Sequence, residues 1–115
     1  MIVPLNRAAV IIAPKQAFLD MVAALMGEEP EKAATPFDHD ESTVYLIDEL
    51  AMETTEARKR LASCFRDIFY EEINAWFTDD SKWPKNVTWK EFESYFHISF
   101  QSMVLDTLDE EIEYE

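Results

Sequence analysis

The chain has 115 residues, enough for one domain that buries a core without metal or disulfide staples. Apolar residues make up 48% and aromatics 13%, which excludes a disordered chain. Twenty-four acids against 10 bases give a formal charge of −14, which opposes phosphate backbones and favours basic partners, so no nucleic-acid ligand is expected.

The N-terminal Met-Ile-Val-Pro-Leu-Asn-Arg lacks the basic start and long apolar stretch of an export signal. The apolar run Ala8 to Ala13 is too short to span a membrane, so a cytoplasmic protein without membrane contact is expected. Arg7 to Pro14, with three consecutive β-branched residues, predicts a strand buried on both faces and ended by Pro14. From Lys15 to Met26, Phe18, Leu19, Val22, Leu25 and Met26 recur at helical spacing, and Gly27, the only glycine, follows as a left-handed cap.

Gly27 to Ser42 carries two prolines and six acids and reads as a surface loop. Thr43 to Asp48 is rich in β-formers and predicts a second strand. Strand, helix, strand in that order implies parallel strands joined by a right-handed crossover. Thr54 or Thr55 then caps a long helix to about Phe77. Leu61, Cys64, Phe65, Ile68, Phe69, Ile73 and Trp76 form its apolar stripe.

Thr88-Trp89-Lys90-Glu91 has the capping-box pattern and opens a short helix carrying Trp89, Phe92 and Phe96 on one side. Alternation from His97 to Leu105 predicts a final strand. Six acids in Asp106 to Glu115 predict a fraying tail. The fold class that follows is α+β: a small mixed sheet, in the order β-α-β-α-α-β, with helices mainly on one face. Residues 1–108 form the single domain and 109–115 the acidic tail.

Catalytic signatures are sparse. One glycine, already used as a cap, leaves no phosphate-cradling loop. Cys64 excludes an internal disulfide and, lying between Leu61 and Ile68 on the helix stripe, reads as a buried, inert core thiol. His39, in Asp38-His39-Asp40-Glu41, matches no defined metal spacing and reads as part of a solvated loop. Arg58-Lys59-Arg60 and Arg66 read as a solvated helix face, with Glu56 placed to pair with Arg60 one turn on. No catalytic residue, cofactor or metal ligand is therefore assigned. The distinctive stretch runs from Trp76 to Trp89. Trp76 and Trp89 fall on apolar faces as core residues, whereas Trp83 sits in a loop, packed over the fold's edge or offered to a partner. Trp83, Asp79, Asp80 and His97 make up the candidate binding surface.

That stretch resembles a family of short, acidic, uncharacterised bacterial proteins with a Trp-aromatic-x-acid run leading to Trp-Pro and a short aromatic helix. The matching residues are Trp76, Phe77, Asp79, Trp83, Pro84, Trp89, Phe92 and Phe96. Pro4-Leu5-Asn6-Arg7, Val10, Pro14-Lys15, Val44-Tyr45-Leu46 and Met103-Val104 fit the same pattern. The resemblance implies a bacterial cytoplasmic protein and transfers no activity.

The functional expectation is a non-enzymatic module that binds another protein or a second copy of itself, with Ile98 to Leu105 as an edge strand able to pair between chains. The alternative is a small-molecule-binding domain or enzyme using carboxylates near Trp76 and Trp83, with Asp79, Asp80 and His97 taking part. An acidic mimic of nucleic acid ranks below both, because the acids of the loops and tail form no ordered rows.

Overall fold

The computed structural model describes residues 2–32, 42–48, 54–108 and 110–115. Its elements are β1 (Val3–Pro4), β2 (Arg7–Pro14), α1 (Gln16–Met26), β3 (Thr43–Asp48), α2 (Thr54–Asn74), a 3-10 turn (Asp80–Lys82), α3 (Trp89–Tyr95), β4 (Phe96–Gln101) and β5 (Leu105–Asp106). The fold is the small α+β type that the sequence predicts.

The main sheet has the order β3-β2-β4, and both outer strands run antiparallel to β2. The expected parallel pairing of Arg7–Pro14 with Thr43–Asp48 is therefore incorrect. Thr43 starts opposite Ile12, beside the end of β2 rather than its beginning. The segment 27–42, at about 3.3 Å per residue when extended, is long enough to carry the chain back there after α1. A crossover helix followed by so long a connection does not dictate strand direction.

Val10 and Ile12 of the central strand are fully buried, on the face they share with Tyr45 and Ile47 of β3 and with Ile98 and Phe100 of β4. The helices cover that face. Phe18, Leu19, Val22 and Ala23 line the inner side of α1, and Gly27 closes it at φ +68°. There Glu28 N–H reaches Ala23 O at 3.0 Å, satisfying a terminal carbonyl. Helix α2 is about 32 Å long and turns Ala57, Leu61, Phe65, Ile68, Phe69 and Ile73 inward. It stops at Asn74, short of the expected Phe77, where the N–H groups of Trp76 and Phe77 both return to Ile73 O. Thr54 and Thr55, expected as the cap, already lie within α2.

The capping box forms as the sequence predicts. Glu91 N–H donates to Thr88 Oγ1 at 3.2 Å, and Thr88 N–H donates to the Glu91 carboxylate at 3.1 Å. It aims Phe92 and Phe96 into an aromatic nucleus in which Phe18 and Phe96 lie 4.7 Å apart and Phe69 stacks on Tyr95 at 5.9 Å. Such contacts add about 0.5–1.5 kcal/mol each beyond area burial.

Short strands β1 and β5 form a second antiparallel ladder that the sequence does not announce. Asp106, expected in the fraying tail, pairs there with Val3. The final strand also differs from the expected His97–Leu105, being broken between Gln101 and Leu105. Ala9 lies opposite Gln101, and Pro4 lies opposite Leu105. The N-terminal strand path thus passes through one more residue than its C-terminal partner, a bulge-like offset with a bend at Asn6. Residues Val3 to Pro14 would extend about 40 Å as a strand, so the β1·β5 ribbon projects beyond β3. Extents of 48 × 27 × 27 Å and a radius of gyration of 15.6 Å, against about 13 Å for a compact chain of this size, match that projection.

Candidate functional site

Trp83, Asp79 and Asp80 share the connection between α2 and α3. Asp79 caps the 3-10 turn, accepting from Ser81 Oγ at 2.6 Å and Ser81 N–H at 3.2 Å. The Ser81 hydroxyl holds the Asp79 carboxyl below its usual range, so it stays ionised. Asp80 is exposed on that turn. The half-buried Trp83 ring stacks on Tyr70 of α2 at 5.7 Å, and its Nε1–H donates to Phe77 O at 2.8 Å. Tyr70 in turn donates its hydroxyl to Pro84 O at 3.1 Å. These bonds pin the connection to α2, giving Trp83 a packing role. Trp76 and Trp89, expected in the core, are half-buried at its margin.

His97 belongs to a different surface. It pairs with Ala13 in the sheet and alternates with Ser99 and Gln101, away from the helix-covered face. Among the described residues no hydrogen bond or ion pair joins it to Asp79, Asp80 or Trp83. The four residues named from the sequence thus form one cluster of three plus a separate histidine.

The outer face of the sheet is the larger feature. There Ile11 lies opposite Val44 and Ser99, while Ala9 lies opposite Leu46 and Gln101. Val44 is 60% exposed and Leu46 51%. Among the described residues β3 and β4 each have one neighbour in this sheet, β2, so no described strand pairs with their outer edges. A strand that alternates inward and outward would ordinarily carry polar groups on a bare face, and β3 carries valine and leucine.

The Glu71-Glu72 pair flanks the aromatic cluster and is expected to be exposed; among the described residues Glu72 is instead a buried acid. Only 8% exposed, it sits on the inner side of α2 and accepts from the Tyr45 hydroxyl of β3 at 2.5 Å, with Thr43 as a further side-chain partner. Burial pushes its carboxyl above the usual range although both hydrogen bonds pull it down. Burial and the adjoining carboxylate raise the Tyr45 phenol as well, so it remains a donor. The available signal was its place in the series Leu61, Phe65, Ile68, Glu72, where an acid replaces an apolar residue at helical spacing.

Cys64 is half-buried beside Arg60 O rather than enclosed in the core, and burial raises its thiol pKa, which disfavours the reactive thiolate. The bases on α2 are individually engaged. Arg60 meets Asp48 at 3.3 Å, Arg58 meets Glu93 at 3.6 Å, and Arg66 donates to Val87 O at 3.1 Å. Glu56 pairs with Lys59 rather than the expected Arg60.

Two concavities lie elsewhere on the described surface. A small one of about 40 Å³ lies between the end of α1 and Trp76, rimmed by Glu28, Glu29 and Glu31. A cleft of about 560 Å³ lies where the C-terminal segment meets the β1·β5 ribbon. Neither is lined by Glu72, Tyr45 or Trp83. Among the described residues, no group of three or more His, Cys, Asp or Glu could hold a metal ion, and His39 lies outside them. No described helix is long and apolar enough to cross a membrane.

No family model, curated protein or solved structure matches this chain. Geometry is therefore the ground for a functional reading, and its main feature is apolar surface left uncovered on the sheet and on the terminal ribbon.

Proposed function

We propose that this domain is a non-enzymatic protein-interaction module of a bacterial cytoplasmic protein, binding another protein or a second copy of itself. The observation that carries the reading is the outer face of the sheet, where exposed Val44 and Leu46 lie opposite Ile11 and Ala9, beside edges that no described strand pairs. Covering each of these aliphatic side chains would supply on the order of 1 kcal/mol, and an unpaired edge offers backbone donors and acceptors to an added strand. The net charge disfavours nucleic acid and favours a partner with basic groups.

The alternative, a small-molecule site or enzyme using carboxylates near Trp76 and Trp83, has less support. Asp79 is engaged as a cap and Trp83 as a packing residue.

A Val44→Lys/Leu46→Lys variant tests the module. Both side chains are exposed, so its stability should stay within about 0.5 kcal/mol of wild type. The wild type is expected to retain a partner in affinity capture, or to double its mass in light scattering, and the variant to lose that association. If both proteins are monomers that retrieve the same background, the reading fails.

A further inference from the structure

We propose that the cleft lined by the β1·β5 ribbon, Leu108 and residues 110–112 receives a segment of a partner protein whose apolar anchors are flanked by lysine or arginine. This deepens the interaction-module reading and rests on it. Val3, Leu5, Leu108 and Ile112 supply the apolar lining, and Asp106, Glu110 and Glu111 supply carboxylates. No basic side chain lines the cleft. Leu108 is 63% exposed and Ile112 58%, so both present apolar surface along this open concavity of about 560 Å³.

Asp106 does two things here. Its backbone pairs with Val3 in the ribbon, and its carboxylate accepts from Leu108 N–H at 2.8 Å, a local turn that sets Leu108 beside the ribbon.

Charge selects among the occupants. A second copy would bring a further −14 and the same acidic rim, so like charges would meet. An anionic lipid surface would be repelled in the same way. A segment with apolar side chains between cations satisfies both parts of the cleft, with the electrostatic share falling as salt rises.

The test is fluorescence anisotropy of a labelled peptide alternating leucine with lysine, against the full chain and four variants, the fourth being Val44→Lys/Leu46→Lys. Leu108→Ser/Ile112→Ser should weaken binding about tenfold. Glu110→Gln/Glu111→Gln should weaken it about threefold and flatten its salt dependence. Glu28→Gln/Glu29→Gln removes the same charge elsewhere and should change nothing. The cleft assignment is overturned if the Glu28/Glu29 variant weakens binding as much as the Glu110/Glu111 variant, if the Leu108/Ile112 variant binds like wild type, or if the peptide does not bind. Loss of binding in Val44→Lys/Leu46→Lys alone would overturn the cleft while leaving the module reading standing. A concentration-dependent dimer that disappears in Leu108→Ser/Ile112→Ser would overturn it in favour of self-association.

Discussion

The Tyr45 hydroxyl donates to the Glu72 carboxylate across 2.5 Å, linking the edge strand β3 to the inner side of α2. A half-buried phenol thereby satisfies an acid that is almost wholly removed from water. Removing one partner costs more than the bond itself contributes, because the other is left desolvated.

This pair makes stability depend on pH. The folded Glu72 carboxyl is raised by burial, so the folded state holds this proton more tightly than the unfolded chain. The contribution is fully present below the unfolded carboxyl's pKa and is lost as pH rises through the folded value. Glu72→Gln should therefore lose less melting temperature than wild type between mild acid and neutrality. Thermal melts across that range check it, and parallel curves for the two proteins would refute it.

Tyr45→Phe should destabilise the fold by about 1–3 kcal/mol. The loss should be larger at neutral pH, where the ionised carboxylate most needs the donor. Denaturant titration at two pH values measures both effects. An equal loss in a Glu72→Gln background would show that the two side chains are not coupled.

Trp83 should behave as a packing residue. Trp83→Phe retains a ring over Tyr70 and gives up the bond to Phe77 O, a loss of about 1 kcal/mol. Trp83→Ala also forfeits the stack and should lose about 2 kcal/mol or more. If Trp83→Ala unfolds like wild type yet fails to bind a partner, the ring is a contact residue instead.

Gly27 ends α1 at φ +68°, and a Cβ there would meet nothing within 4 Å. Gly27→Ala should therefore cost about 1 kcal/mol through backbone strain alone, and Gly27→Asn less, since asparagine tolerates this region better. Equal chemical-denaturation midpoints for Gly27→Ala and wild type would rule this out.

The candidate site was legible in parts. Trp83, Asp79 and Asp80 do share one turn, because they are neighbours in the chain. His97 is separated from them because period-two alternation sends it to the outer face of β4, and pairing with β2 places that face away from the helices. Glu72 was hidden among many acids. Its burial depends on a tyrosine from a distant strand, and only its helical spacing hinted at it.

Composition and periodicity alone determined the α+β class, the extent of β2 and β3, the Gly27 stop and the Thr88 start. Each of these follows from preferences within a few residues: a cap, a turn or a stripe. Tertiary structure decided that β2 lies at the centre with antiparallel neighbours, that β1 meets β5, and that Val44 and Leu46 face outward. Those outcomes depend on which distant segments exchange backbone hydrogen bonds and in what register. The alternation within one strand is compatible with several neighbours, and packing against the helices selects among them.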